Sequence, residues 1–159
     1  MPIKSKYDEQ SKFLAQAIDI AVNSFNLFPP KGWDKNVLEQ VVNAYTRFKN
    51  NALNPEPQFK NMRSFQYILN DVLTYFQESS GSAVDNFWVE IRKNHLPYIR
   101  ENKMAKILKA GKIKHDIDCD FVIDTIVPYQ QEGLINGEQI LLLNKMIANF
   151  ENKRKAKST

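Results

Sequence analysis

The chain has 159 residues, of which 43% are hydrophobic and 25% charged, the proportions of an ordinary folded globular protein and not of a disordered one. Five glycines and seven prolines exclude a collagen-like or low-complexity chain, and the single cysteine, Cys119, excludes an internal disulfide or a cysteine-based zinc cluster and fits a reducing, cytoplasmic setting. The net charge of +4 is unevenly spread, which no composition average shows.

Residues 1–91 carry nine basic and ten acidic side chains, a net of −1. Residues 92–115 carry eight basic side chains against Glu101, a net of +7. Residues 116–152 carry Lys145 against seven acids, a net of −6, and residues 153–159 add four cations. Neutral, basic, acidic and basic blocks follow one another, a pattern that asks for partners within or between molecules. The polar start MPIKSKYDEQ carries no secretory signature, and the short apolar runs predict no membrane span.

The first helix is predicted over about 8–25, where Phe13, Leu14, Ala17, Ile18, Ala21, Val22 and Phe25 recur at three- and four-residue steps. Pro29 and Pro30 stop it, since neither donates a backbone hydrogen bond. Asp34 is placed to cap a second helix with Val37, Leu38, Val41, Val42, Tyr45 and Phe48 inward, and residues 50–57 read as a loop. A third helix spans about 59–78. Ser82 is the expected N-cap of a fourth, which ends near Leu96-Pro97. A fifth helix is expected from there to Ala110, closed by Gly111. A sixth starts near 116–118, breaks or kinks at Pro128 and ends by Gly133. Asn136 and Gln139 have capping-box spacing for a last helix over about 137–152, followed by a basic disordered tail, 153–159. The expectation is one all-α domain over 1–152, an irregular bundle of six or seven helices. Its sub-halves are 8–79 and 82–152, packed together because each alone buries little.

Asp116, Asp118 and Asp120, with Ile123 and Asp124, have the spacing that opens an EF-hand calcium loop. Phe121 stands where such a loop needs glycine, and Val127 where it needs the bidentate glutamate. Acids gathered at a helix N-terminus account for the same pattern through the macrodipole. These aspartates are therefore weak metal candidates, and no metal or other cofactor is expected.

The basic block, Arg92, Lys93, Arg100, Lys103, Lys106, Lys109, Lys112 and Lys114, is a nucleic-acid candidate. Five of its members step by three, so on a helix they wind around the axis and still follow a phosphate backbone. Trp88, His95 and Tyr98 are nearby rings for base stacking. The competing expectation is that this block lies against the acidic one, and that the two neutralise each other. Helix-turn-helix geometry is available across 94–97 and 133–136, where most such hairpins are only packing units.

Enzyme signatures are mostly absent. The two histidines, His95 and His115, lack metal-pair spacing, and neither a GxSxG elbow nor a Walker loop occurs. Cys119 sits among acids, which raises its thiol pKa and favours a buried structural role. The last helix is apolar around most of its circumference, so it is either central in the chain or shared with another; Leu142, Met146 and Phe150 are the interface candidates. A non-enzymatic, cytoplasmic interaction or regulatory module that self-associates or binds a protein partner is the leading reading. A nucleic-acid-binding protein using 92–115 and the tail is the alternative, with weak, salt-sensitive binding. No membrane partner is expected.

Overall fold

The computed structural model describes residues 5–157. The chain is all-α, an irregular helical bundle: seven α-helices and a 3-10 turn at Pro57–Phe59, with no strand among the described residues. Its elements are α1 (Lys6–Leu27), α2 (Lys35–Leu53), α3 (Met62–Glu78), α4 (Ser82–Lys93), α5 (Met104–Ala110), α6 (Asp116–Gln131) and α7 (Gly137–Lys157). None of these helices is long and apolar enough to cross a membrane.

Contacts divide the chain into two compact units. The first holds the described residues of 1–77 with Gly81–Arg100, and the second holds Glu78–Ser80 with the described residues from Glu101 onward. The boundary therefore falls after Arg100 and not at the Ser79–Ser82 break. The reason is that α4 buries Val84, Phe87, Trp88 and Ile91 in the same core as α1 and α3.

In the first unit each early helix is started by a side chain. The Asp8 N–H donates to Ser5 Oγ at 3.1 Å, the Val37 N–H to Asp34 Oδ1 at 2.9 Å, and the Ser64 N–H to Asn61 Oδ1 at 2.8 Å. Helix α1 buries Leu14, Ala17, Ile18, Ala21 and Phe25, the predicted stripe, and α2 and α4 both pack against it. The small alanines allow that close approach, while α3 reaches the core through rings. Phe25 lies 5.1 Å from Phe76 and 5.4 Å from Tyr45 between ring centroids, and Phe76 stacks on Phe87 at 3.8 Å. The polar tips of three of the buried rings are satisfied by backbone oxygens. Tyr7 Oη donates to Ala52 O and Tyr45 Oη to Val72 O, both at 2.9 Å, and Trp88 Nε1 donates to Phe76 O at 2.8 Å.

Several predicted boundaries move for local reasons. Helix α2 continues through Asn50 to Leu53, because Ala52 is buried against the first core. Helix α3 begins at Met62, since Pro57–Phe59 forms the 3-10 turn and Asn61 takes the cap. Gly81, at φ 119, stands at the start of α4 in place of Ser82, a conformation glycine adopts without the Cβ penalty. Val37, expected inward, is exposed.

The largest departure is at 96–103, expected as helix. There Leu96, Tyr98 and Arg100 are buried while Pro97, Ile99 and Glu101 are exposed, a period-two alternation that only an extended chain produces. Gln77 Nε2 donates to Ile99 O at 2.9 Å and pins this segment. Helix α5 begins only at Met104, with Asn102 Oδ1 accepting from the Ala105 N–H at 3.1 Å.

The second unit packs Met104, Ile113, Cys119, Val122, Tyr129, Ile135, Leu143 and Met146. Helices α6 and α7 form a hairpin. Gly133, at φ 75, donates to Gln130 O while Leu134 N–H returns to Tyr129 O, the paired bonds of a Schellman turn. The predicted capping box then starts α7: the Asn136 N–H donates to Gln139 Oε1 and the Gln139 N–H to Asn136 Oδ1, both at 2.9 Å. Pro128 does not break α6; it is buried within a continuous helix.

Helix α7 corrects two expectations. Its apolar circumference is only partly used within its unit, since Leu143 and Met146 are buried and Ile140, Ile147 and Phe150 half-buried against the core, while Leu141 and Leu142 are 72% and 44% exposed. Its main neighbours among the described helices are α6 and α5. It also runs on to Lys157, so residues 153–157, expected as disordered tail, are helical; residues 158 and 159 lie outside the described residues.

Candidate functional site: a basic groove on the second unit

The link between α5 and α6 repeats the alternation seen at 96–101. Ile113 is buried in the second core, which turns Lys112 and Lys114 outward on either side of it. On α7, Phe150, Lys153, Arg154 and Lys157 fall at i, i+3, i+4 and i+7 and share one face. Together with His115 and Ile117 these residues line a groove of about 730 Å³. Two basic segments, separated by the whole of the acidic block in sequence, thus line one site.

The electrostatics of the groove are one-sided. Five cations, Lys112, Lys114, Lys153, Arg154 and Lys157, line it against Asp116 alone. Arg154 Nη1 donates to Asp116 Oδ1 at 2.6 Å, and its guanidinium lies 5.6 Å from the Phe150 ring centroid. The four lysines make no ion pair among the described residues. Ile117 stands on the rim, 81% exposed.

A neighbouring hollow of about 680 Å³ shares Lys112, Lys114 and Ile117 with the groove. It is lined by Lys103 and Lys106 as well, but Glu78, Glu101 and Asp118 stand among them, and Lys103 Nζ is 3.0 Å from Glu78. The lysines of this hollow are thus offset by carboxylates, of which only Asp118 comes from the acidic block, whereas the groove beside it holds a single acid.

The remaining members of the basic block are dispersed. Arg92 and Lys93 close α4 in the first unit, with Lys93 4.0 Å from Glu90, and Arg100 is buried at 8% exposure. Lys109 is exposed on α5 and lines neither hollow. The winding helix of five cations does not form, because only Lys106 and Lys109 are within α5. Trp88 and Tyr98 are buried, so neither offers a face for stacking. Burial pushes the pKa of the Tyr98 hydroxyl up to about 12, and its oxygen has no hydrogen-bond partner among the described residues.

Asp116, Asp118 and Asp120 occupy the first turns of α6. On a helix a two-residue step turns about 200°, so alternate carboxylates diverge, and no metal-holding cluster occurs among the described residues. Burial raises the Cys119 thiol pKa, with Glu151 and Asp120 adding to the effect. Of the predicted interface residues, Leu142 is exposed, Phe150 lies half-buried in the groove, and Met146 belongs to the core of its own unit. The helical hairpin at 133–136 forms, whereas the one at 94–97 does not, because an extended segment follows α4.

Sequence reasoning missed Ile113, His115 and Ile117 as groove residues, and it missed the helical state of 153–157. The signal for the helix was present: no glycine or proline follows Gly137, and cations suit the last turn. Comparison with family models, curated proteins and solved structures finds no match.

Proposed function

We propose that this chain is a non-enzymatic interaction module that takes an acidic protein surface into the groove of its second unit. The observation that supports this reading is the five cations set against Asp116 alone, beside an isoleucine that is 81% exposed. Lysines attract carboxylates, and an uncovered aliphatic side chain on the same rim rewards a partner with apolar residues between its acids. The exposed lysines also favour a second reading, weak nucleic-acid binding mainly through phosphate contacts, since two of the three candidate stacking rings, Trp88 and Tyr98, are buried and only His95 is exposed.

Fluorescence anisotropy separates the two. The probes are a labelled helical peptide with Glu and Leu at helical spacing and a single-stranded oligonucleotide. With four lysine contacts, oligonucleotide affinity falls by about 10²-fold between about 0.05 and 0.3 M salt. Peptide binding falls far less, because its apolar contact is not screened, and it is lost in Lys114→Glu/Lys153→Glu. Oligonucleotide binding that survives the higher salt and depends on sequence would install the nucleic-acid reading in its place.

A further inference from the structure

The outward face of α6 is built unlike an ordinary solvent face. Ile117, Asp120, Ile123, Asp124 and Val127 follow helical spacing along it, and the three aliphatics are 81%, 49% and 59% exposed. Asp120 and Asp124 are exposed between them and make no ion pair among the described residues. The surface that complements such a stripe is cationic with apolar side chains among the charges. The groove at the start of the same helix has that composition: Lys112, Lys114, Lys153 and Lys157, with Ile117 between. The Arg154–Asp116 pair at 2.6 Å already shows a groove cation holding an α6 carboxylate within one chain.

From this complementarity we infer that the groove's partner is a second copy of the chain, and that two copies associate through their α6 faces. The inference rests on the reading of the groove as a site for an acidic protein surface. The groove adjoins the start of α6, with Lys112 and Lys114 just before the helix and Lys153 and Lys157 on α7, and the carboxylates of the stripe lie farther along α6. Antiparallel pairing of two α6 helices therefore sets the lysines of each copy beside Asp120 and Asp124 of the other. The contact is made twice about a two-fold axis and closes on itself, so it yields a dimer and not a filament. Ile117, Ile123 and Val127 are covered in the same step. This is a different surface from the α7 face of Leu141 and Leu142.

Charge reversal tests it, because every residue reversed is exposed. One variant is Lys114→Glu/Lys153→Glu and the other is Asp120→Lys/Asp124→Lys, each followed by sedimentation equilibrium and by anisotropy with the acidic peptide. The wild type is expected to be a dimer that dissociates on dilution, with dissociation promoted about tenfold or more by raising salt through the range that screens surface charge. Each variant alone is expected to be a monomer. Their equimolar mixture is expected to dimerise, since both contacts then join opposite charges. A monomeric wild type at high concentration, variants that still dimerise, or a mixture that stays monomeric would overturn the inference. The carboxylate variant keeps its groove, so peptide binding by it upholds the groove reading even where dimerisation fails. Loss of peptide binding in that variant and in the wild type alike sinks both.

Discussion

The two units solve the same problem with different material. The first buries rings: Phe25, Phe65, Phe76, Phe87 and Trp88 are all among its fully buried side chains. The second, with fewer residues, has Tyr129, Met104 and Leu143 in that class, and α6 and α7 leave Ile117, Ile123, Val127, Leu141 and Leu142 at the surface. A smaller unit has more surface for each buried side chain, and its helices cannot all turn their apolar faces inward. The difference teaches where to look for partners. The first unit's core is built of rings although Phe28, Phe59 and Tyr67 stay exposed, and in the second the exposed aliphatics of α6 alternate with carboxylates.

The largest expected effect tests the ring-built core. Phe76→Ala removes a ring stacked 3.8 Å from Phe87 and in contact with Phe25, and should cost about 3–5 kcal/mol in urea unfolding. Leu143→Ala in the second core should also cost, within about 2–5 kcal/mol. A Phe76 variant less harmed than the Leu143 variant would undo the contrast between the cores.

An intermediate effect compares two helix ends of the same design. After α4, the His95 N–H donates to Arg92 O and the Leu96 N–H to Ile91 O, the Schellman pattern seen after α6. The left-handed residue is Gly133 at φ 75 in the second unit but His95 at φ 55 in the first. A Cβ at Gly133 meets no atom within 4 Å, so Gly133→Ala should cost about 1–2 kcal/mol through backbone conformation alone. His95→Gly relieves the same penalty and should stabilise by up to about 1 kcal/mol, read from the thermal midpoint. Equal and opposite shifts would sharpen the equivalence of the two turns. A destabilised His95→Gly variant would mean that the imidazole makes a contact worth more than the strain.

The smallest effect concerns Tyr98 and appears only at high pH. Its neutral form is favoured in the folded chain, where its pKa is pushed up to about 12, against about 10 in an unfolded chain. That preference contributes fully below about pH 10 and is lost as pH rises through about 12. Tyr98→Phe should therefore be within about 1 kcal/mol of wild type at neutral pH, since the lost hydroxyl has no hydrogen-bond partner. It should also lose less stability between about pH 10 and 12. An alkaline profile identical to wild type would show that another group governs that limb.

The sequence made the fold class legible wherever period and punctuation agreed. The Ala17–Ala21 stripe, Asp34, Gly111, Gly133 and the Asn136–Gln139 box all read locally, because each acts through its own backbone neighbours. The segment 96–103 did not, since its three-residue charge spacing imitates a helix while its burial alternates by two. That alternation depends on Gln77 and on the first core, neither of which is local. The candidate site was half legible. Lys112 and Lys114 were found as charges, but their convergence with Lys153 and Lys157 depends on how α7 returns along α6, which no window of sequence contains. The α7 pattern misled for a related reason, because an apolar circumference records what a helix has to bury and not how many neighbours it is given.

The last three turns of α7 extend beyond Met146, its last buried residue, and there Lys153, Arg154, Lys155 and Lys157 stand together. The macrodipole favours cations at this end, while their mutual repulsion at three- and four-residue steps opposes the helix by a few tenths of a kcal/mol for each pair. Screening ions or an incoming carboxylate relieve that repulsion, and so favour the helical turns that carry Lys153 and Lys157. A partner that neutralises this wall of the groove therefore also steadies the helix that presents it.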